Sequence, residues 1–297
     1  MLPSHDRFGY SGIRNRPRFT WPGGRRLAVY LALNIEHFPY GVQCGVDLDR
    51  KTEPWSQRSW LWREYGNRVG AWRLADLFDE LQMPVGVIVN TENYDHSPDL
   101  MAAWRRRGDE MIGHGRSNAE RQIEMSEADE RTMVNEVTAK MRTDDGVAPE
   151  GWLSPYLTPS LVTSDLLAEA GYRYILDWGI CDEQPFWVKT RTRPLLAVPY
   201  AIELNDQPNV VYRQATPAQY ADMLVDNFDE MLRHSGEHAV VYSISVHSFI
   251  MGQPFRIAHL RRALRHMMAR PEQVWICQPR EIARHYAALP AAQQLQP

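Results

Sequence analysis

Short apolar runs and amphipathic helical patterns alternate along the chain. The run RRLAVYLALNI (25–35) is almost continuously apolar, as expected for a strand that is buried on both faces of a parallel sheet. Residues 65–83 instead space their apolar positions three and four apart, which is typical of an amphipathic helix. A second apolar run, PVGVIVN (84–90), follows directly. The pattern therefore predicts a strand–helix–strand unit with parallel strands.

The same alternation continues to the C-terminus. Further strands are predicted at 110–115, 150–155, 173–178, 195–202, 239–247 and 273–279. Further helices are predicted at 97–108, 126–146, 160–172, 216–238, 256–271 and 280–289. Ser97 with Pro98, and Ser126 with Asp129, are the residues expected at two of the helix N-termini. About seven strand–helix repeats with right-handed crossovers indicate a barrel, in which chemistry gathers at the C-terminal ends of the strands.

Polar side chains follow several of the predicted strands directly. They are Asn34, Glu36 and His37 after the first strand, His114, Arg116 and Asn118 after the third, Asp182 in the loop after the fifth, Glu203, Asn205 and Asp206 after the sixth, and His247 at the end of 239–247. Three strands thus each deliver a histidine to one rim. We expect His114 and His247 to meet Glu36 there and to form the functional site.

Charge and cysteine content narrow the class of substrate and the cellular setting. The 297 residues carry a net charge of −4 with a pI of about 6.2, which predicts no nucleic-acid and no anionic-membrane partner and favours a small-molecule substrate. The three cysteines are far apart and form no CxxC pair. The N-terminus has no apolar core of a secretory signal, and no run approaches 18 apolar residues. We therefore expect a cytoplasmic protein.

Several motifs, in this order, resemble the polysaccharide deacetylase (NodB-type, carbohydrate esterase family four) superfamily. They are RFTWPGGRRLAVYLALNIEHF, REYGNRVGAWRL, GDEMIGHGRSN, GWLSP, DWGICDEQPFW, VPYAIELND and SVHSFIMGQPFRIAHLRRAL with the later VWICQPREIARHY. The resemblance covers about 18–286 and is closest to the metal-independent, allantoinase-like branch. It implies a distorted (β/α)7 barrel of parallel strands, with residues 1–297 forming one domain and 1–24 an N-terminal arm.

The resemblance also implies roles for the residues at the strand ends. Glu36 stands at the position of the general base, and His247 at that of the late-strand histidine that acts as general acid. His37 stands at the position of an acidic metal ligand, and His114 matches the first histidine of the HxxxH ligand pair. Asn118 stands where the second histidine of that pair is expected.

Two departures from the family pattern leave open whether the site binds a metal ion. A neutral Asn118 oxygen is a poor zinc ligand, whereas His37 adds an imidazole. The set His37, His114 and Asn118, with Glu36 as a further ligand, could hold one divalent ion, zinc or another transition metal; alternatively the site works without metal. In the second case Glu36 needs a pKa raised by burial to act as a good base.

The remaining strand-end residues are candidates for substrate contacts. Leu153 replaces the arginine usual in the family, so Arg116 is a candidate for the missing positive charge. Glu64 and Arg68, four apart, pair on a helix or contact substrate or a second subunit; both interpretations stay open. The full set of predicted substrate-binding residues is Arg116, Asp182, Trp152, Glu203 and Asn205.

These features predict a hydrolase of carbon–nitrogen bonds other than peptide bonds, of deacetylase or amidohydrolase type. Its substrate is a small soluble amide or an N-acetyl carbohydrate. One alternative is a metal-free, allantoinase-like hydrolase of cyclic amides, and a second is a barrel that has lost activity and only binds a ligand. An O-ester hydrolase would use the same residues. The resemblance and the aromatic-rich surface predict a homo-oligomer, a dimer or a tetramer.

Overall fold

A curled sheet of mostly parallel strands, flanked by helices, forms the molecule. The computed structural model describes residues 5–45 and 55–297, so residues 1–4 of the predicted arm, and Glu53 and Pro54 of an aromatic-rich stretch, lie outside the described residues. The strands are β1 Leu27–Ile35, β2 Val85–Val89, β3 Glu110–Gly113, β4 Gly151–Trp152, β5 Tyr174–Ile175, β6 Phe186–Val188, β7 Leu195–Ala197, β8 Val240–His247 and β9 Val274–Ile276.

Ten described α-helices accompany the sheet. They are α1 Gln57–Tyr65, α2 Ala71–Leu81, α3 Asn93–His96, α4 Pro98–Arg107, α5 Glu127–Asp145, α6 Thr163–Ala170, α7 Pro217–His234, α8 Ser248–Met251, α9 Pro254–Met268 and α10 Pro279–Ala288. Two π-helical segments, Gly66–Gly70 and Gln207–Tyr212, interrupt the regular pattern. Across the described ranges, no helix combines the length and the apolar character that crossing a membrane requires.

The strand order confirms the predicted parallel architecture. It runs β6-β7-β5-β4-β3-β2-β1-β8, and β9 pairs with β1 beside this path. All pairings are parallel except that of β6 with β7. Seven strands from β8 to β7 thus form a curled parallel sheet, which is the distorted barrel that the sequence predicts. The described ladders include none between β7 and β8.

Strand alternation sorts the side chains of β1 onto two faces. Ala28, Tyr30 and Ala32 belong to one buried cluster with Ile88 and Ile112. The odd-numbered residues Leu27 to Ile35 belong to a second cluster, which includes the apolar faces of the surrounding helices. Because neighbouring residues of a strand point to opposite faces, Glu36 continues the first set, as does His114 two residues after Ile112. The pleat therefore turns both side chains toward the inside of the barrel.

Some elements differ in detail from the predicted ones. The strand expected at 195–202 ends at Ala197. Beyond it the chain leaves the ladder, since Pro199 has no N–H to donate and its carbonyl accepts a hydrogen bond from the Tyr30 hydroxyl at 2.6 Å. Strand β6 was not predicted, because three residues are too short to show an alternating pattern. Ser97 is the N-cap of α4 and Pro98 its first residue, as predicted, but the Ser97 hydroxyl donates back to the carbonyl of Asn93 at 3.2 Å instead of capping the helix.

Close backbone packing joins the π-helical segment Gly66–Gly70 to α8. A Cβ atom added to Gly70 would lie 2.1 Å from the Ser248 carbonyl oxygen, and one added to Gly252 would lie 2.3 Å from Gly70 Cα. At such distances no Cβ atom fits, so only glycine can occupy these two positions without a shift of the backbone. The contact fixes the chain directly after His247, so the glycines of the motif REYGNRVG have a packing role beside the functional rim.

We expect Gly70→Ala to lower the free energy of unfolding by about 1–3 kcal/mol, since overpacking forces backbone shifts. Urea denaturation followed by circular dichroism measures the change. Gly9→Ala is the matched control, because no atom lies within 4 Å of the added Cβ and its φ is not left-handed. Equal stability of the two variants would contradict the packing role.

Candidate active site

Glu36 lies between two histidines at the C-terminal rim of the sheet. Its Oε1 atom is 3.5 Å from His247 Nε2 and 3.8 Å from His114 Nε2. All three residues are buried, with exposed fractions of 8% for Glu36, 2% for His114 and 4% for His247. The structure therefore brings together the three residues that the strand-end pattern singled out.

His247 is held from behind by Asp206, a fully buried residue in the loop after β7. The Nδ1–H group of His247 donates to Asp206 Oδ1 at 2.6 Å, and its backbone N–H donates to Asp206 Oδ2 at 2.7 Å. Both carboxylate oxygens of Asp206 thus accept hydrogen bonds from His247. The sequence placed Asp206 at a strand end but assigned it no role, because nothing in its spacing indicated the partner 41 residues away.

His114 is oriented by the neighbouring strand ends. Its Nδ1–H group donates to the Leu153 carbonyl at 2.7 Å, which leaves Nε2 facing Glu36. The next residue, Ser154, donates its backbone N–H to both oxygens of the buried Asp177 carboxylate, at 3.1 and 3.2 Å. Burial raises the pKa of Asp177 to about 6, although the hydrogen bonds from Ser154 lower it. The ends of β4 and β5 thus fix which ring nitrogen His114 presents.

Charges around Glu36 and His247 set their protonation states. Burial opposes ionisation of Glu36, but the charge of His247 and hydrogen bonds from both histidines outweigh it and lower the pKa to about 2. Burial likewise opposes protonation of His247, but the carboxylates of Asp206 and Glu36 raise its pKa to about 10. The expected raised pKa of Glu36 was therefore wrong, because a cation rather than an apolar wall stands beside it. At neutral pH Glu36 is a carboxylate and His247 an imidazolium.

The predicted metal ligands do not converge. Among residues 5–45 and 55–297, no three His, Cys, Asp or Glu side chains are arranged to hold a metal ion. The centroid of the His37 ring lies 4.6 Å from that of the His96 ring, with the two rings tilted by 54°, and His37 Nε2 lies 3.5 Å from Glu92. Asn118 contributes a neutral amide only. The donor set therefore does not fit a divalent ion of the kind that the resemblance implies.

The predicted substrate-binding residues Arg116, Trp152 and Asn205 have partners within the protein. Arg116 pairs with Glu120 at 2.6 Å and with Glu136 at 2.7 Å, which neutralises the charge proposed for the site. Trp152 is fully buried and donates its indole N–H to Gln122 and Ser154, both at 3.2 Å. Asn205 donates to Ser245 at 3.1 Å and to Tyr200 at 3.3 Å. Since Ser245 lies two residues before His247 in β8, Asn205 belongs to a polar layer beneath the site.

Asp182 and Glu203 lie at another groove. Asp182 binds the Arg16 guanidinium through two hydrogen bonds of 2.5 and 2.7 Å, and the largely exposed Glu203 pairs with Arg213 at 2.7 Å. Both residues line a groove of about 520 Å³ that also includes Tyr242, and neither Glu36 nor His247 is among its lining residues. The structure does not bring this pair to the candidate site.

The motif REYGNRVG supplies two residues whose place the sequence did not show. Asn67 donates its side-chain N–H to the Glu36 carbonyl at 3.0 Å. Arg63 is buried, and its guanidinium lies 4.8 Å from the Phe38 ring. Burial and the charge of Glu36 raise the pKa of the Tyr156 hydroxyl, whereas Arg63 lowers it, so both charges act on the same side chain. Arg63, rather than Arg116, is therefore a buried arginine of this region, in addition to the His247 imidazolium.

Glu64 and His96 occupy the outer side of the same rim. Both Glu64 carboxylate oxygens lie 3.0 Å from His96 Nε2, so the described partner of Glu64 is a histidine on α3 rather than Arg68. His96 is exposed, and its ring also contacts the His37 ring with an interplanar angle of 54°. The two imidazoles and their carboxylates link α1 and α3 to the end of β1.

Comparisons with known proteins agree with the fold and the motifs. No family model matches the chain. A crystal structure of PuuE allantoinase superimposes with a TM-score of 0.87 at 26% identity, covering 97% of this chain and 98% of that one. A crystal structure of a probable polysaccharide deacetylase from Pseudomonas aeruginosa PAO1 gives a TM-score of 0.81 at 27% identity, covering 90% and 92%. Peptidoglycan deacetylase of Helicobacter pylori (strain ATCC 700392 / 26695) is 22% identical over 243 residues, 71% of this chain and 82% of that protein.

These relatives support a hydrolase of deacetylase type that acts on carbon–nitrogen bonds other than peptide bonds. By sequence and by fold the chain is similar to the polysaccharide deacetylase superfamily, including its allantoinase-like branch, as its motifs predicted.

Proposed function

We propose that the protein is a metal-independent hydrolase of a small cyclic amide, a ureide or an imide. The buried arrangement of Asp206, His247 and Glu36 carries the proposal, because it supplies an acid and a base without a metal ion. The donor set at the rim, which does not fit a divalent ion, supports the metal-free alternative. So does the similarity to PuuE allantoinase over 97% of the chain.

In the proposed reaction, Glu36 is the general base and His247 is the general acid. Glu36 takes a proton from a water molecule whose oxygen attacks the substrate carbonyl carbon. The Nε2–H group of His247 then gives its proton to the leaving nitrogen as the C–N bond breaks. The products are a carboxylic acid and an amine or urea nitrogen. The imidazolium of His247 and the buried Arg63 provide positive charge while the carbonyl oxygen becomes negative.

The low pKa of Glu36 couples the two proton transfers. The charge of His247 is the first of the effects that hold this pKa down against burial. When His247 gives up its proton, that charge disappears, and Glu36 becomes a stronger base and retains the proton it took from water. A carboxylate with a pKa of about 2 can therefore serve in this pair although it would be a weak base alone.

The experiment is an assay of the purified protein against hydantoin, succinimide, allantoin and N-acetylglucosamine, each with EDTA and with added zinc. Mass spectrometry of the metal content accompanies it. We expect ring opening of at least one cyclic amide, unchanged by EDTA, in protein with far less than one metal ion per chain. Activity that requires a stoichiometric ion would refute the metal-free mechanism. Turnover of none of the compounds, with binding of one, would indicate a ligand-binding barrel.

The same assay separates the remaining alternatives. Hydrolysis of N-acetylglucosamine alone would make the protein a deacetylase of small carbohydrates, and faster hydrolysis of O-acetyl than of N-acetyl compounds would make it an esterase. The cytoplasmic location and the dimer or tetramer remain predictions, which fractionation and light scattering can check. We also propose that residues 1–297 form one domain.

A further inference from the structure

A groove of about 410 Å³ opens at the N-terminal ends of β5 and β7, at the opposite end of the strands from Glu36 and His247. Arg173, which directly precedes β5, and Pro194, which directly precedes β7, both line it. Its volume lies within the range of about 300–1,000 Å³ that is typical of small-molecule sites. The groove is therefore separate from the candidate active site and large enough for a ligand of its own.

Short and flat side chains form the apolar floor of the groove. Ala283 and Ala287 lie four residues apart on α10, so they share one side of the helix. Trp187 of β6 and Leu196 of β7 also line the groove, and they are direct partners in the antiparallel pairing of these strands. Because an alanine side chain ends at Cβ, it leaves open the space beside the indole ring. A ligand with a flat apolar body fits such a floor.

The C-terminal segment holds the indole ring in place. The Nε1–H group of Trp187 donates to Gln294 Oε1 at 2.6 Å, and its backbone N–H donates to the Leu295 carbonyl at 3.1 Å. The backbone N–H of Leu295 donates in turn to the Tyr286 hydroxyl on α10 at 2.7 Å. Gln294 itself lines the groove. Hydrogen bonds thus connect β6, the C-terminal segment and α10, the three elements around the floor.

Positive charge is concentrated along the same groove. Arg173, Arg193 and Arg284 line it, and its described lining residues include no aspartate or glutamate. Glu150, which is not a lining residue, is shared by two of them: its Oε2 atom lies 3.4 Å from Arg173 Nε and accepts a hydrogen bond from Arg284 Nε at 3.2 Å. Arg193 donates to the carbonyl of Tyr172, a neutral group. One carboxylate therefore faces three guanidinium groups, which leaves an excess of two positive charges.

We infer that this groove is a binding site for an aromatic carboxylate. The guanidinium groups bind the carboxylate, because arginine presents several N–H donors in a planar arrangement that matches its two oxygens. The aromatic body lies on the floor formed by Trp187 and the alanines of α10. A neutral aromatic compound would leave the positive charges without a partner, and a small inorganic anion would leave the apolar floor in water. The groove thus selects a ligand that combines both features.

Isothermal titration of the 297-residue chain with 1-naphthoate tests the inference. The reference compounds are 1-naphthamide, which is the neutral analogue, and inorganic phosphate, which is an anion without an apolar body. We expect 1-naphthoate to bind with a Kd below about 1 mM, and at least about tenfold more tightly than either reference compound. Equal binding of 1-naphthamide would show that the charge is not recognised, and equal binding of phosphate would make the groove a plain anion site. Either result would overturn the inference.

Two kinds of variant locate the bound molecule. Arg173→Gln combined with Arg193→Gln removes two charges, whereas Ala287→Leu fills the floor and keeps the charges. Each is expected to weaken the binding of 1-naphthoate at least about tenfold. Arg233→Gln on α7, outside this groove, is the control for the loss of charge. Ala288→Leu, at the next, exposed position of α10, which does not line the groove, is the control for the added side chain. Both controls should bind 1-naphthoate like the wild type.

The titration requires no turnover, so its outcome does not depend on the proposed reaction. If 1-naphthoate binds equally to the wild type and to all the variants, it occupies another site, such as the rim around Glu36, and the inference is wrong. Absence of binding to the wild type would also refute it, including the case in which light scattering shows a dimer whose second chain covers the groove. If the double arginine variant does not fold, Arg193→Gln alone replaces it and must still weaken binding at least about threefold.

Discussion

Replacing His247 by asparagine is expected to lower kcat about 10²- to 10⁴-fold, the range that general acid catalysis typically contributes. The imidazolium is the group that can give a proton to the leaving nitrogen, and asparagine has no such proton to transfer. Asparagine still offers an N–H to Asp206, so the buried carboxylate keeps a donor and the fold is preserved. Single-turnover and steady-state kinetics on the substrate found in the screen measure the loss.

The matched control for His247→Asn is His234→Ala on α7. His234 is exposed, and its described side-chain hydrogen-bond partners, Arg233 and Glu230, lie on its own helix, the latter at 2.8 Å. Its loss should leave kcat and KM within about twofold of wild type, in line with ordinary surface substitutions. Circular dichroism must show the folded spectrum for both variants. A folded His247→Asn protein with wild-type kcat would remove His247 from the mechanism and overturn the acid–base assignment.

The sequence predicted which residues meet at the rim more accurately than it predicted their protonation states. Glu36, His114 and His247 could be found because each directly follows or ends a strand, and parallel strands bring their C-terminal ends to one edge. The protonation of Glu36 could not be predicted in this way. It depends on the positive charge of His247, 3.5 Å away, which is stabilised by Asp206 behind it as well as by Glu36 itself.

Predicted substrate contacts were less accurate for a similar reason. A strand-end position says that a side chain is near the rim, but not whether another residue of the protein already binds it. Arg116 and Asp182 each have a partner of opposite charge, Glu120 and Arg16. The four-residue spacing of Arg116 and Glu120 predicts a pair only on a helix, which this loop is not, and Arg16 is remote from Asp182 in the sequence. Arg63 was overlooked because its motif reads as an ordinary helix until Gly66–Gly70 is seen to form a π-helical turn that packs against α8.

Asp206→Asn is expected to move the alkaline limb of the kcat/KM profile to lower pH. His247 is the general acid in its protonated form, so activity is lost as the pH rises through its pKa, about 10 in the wild type. Asp206 and Glu36 hold that pKa up against burial. With Asp206 neutral, only Glu36 opposes burial, and the pKa falls. At pH 9 we expect activity to drop about tenfold for each pH unit by which the limb has moved below that pH.

The variant also loses stability, for a reason separate from the titration. The two oxygens of Asp206 accept one hydrogen bond from the His247 ring and one from its backbone N–H. Asparagine has a single acceptor oxygen, so one buried donor is left unpaired, at a cost of about 1–3 kcal/mol. The raised pKa of His247 itself stabilises the fold below its ordinary value of 6.5, and this contribution is lost as the pH rises to about 10. The stability of the Asp206→Asn variant should therefore decrease less over that pH range than the stability of the wild type.

The pH profile distinguishes positioning by Asp206 from a purely structural role. Asp222→Asn is the control, because Asp222 lies on the surface of α7 and pairs with Arg262 at 2.7 Å. A structural defect at Asp206 would lower activity by the same factor at every pH at which the protein stays folded. Loss of the charge that keeps His247 protonated instead lowers it selectively at high pH and spares it near pH 5. A limb that stays at the wild-type pH in folded Asp206→Asn protein would show that Asp206 does not set the pKa of the acid.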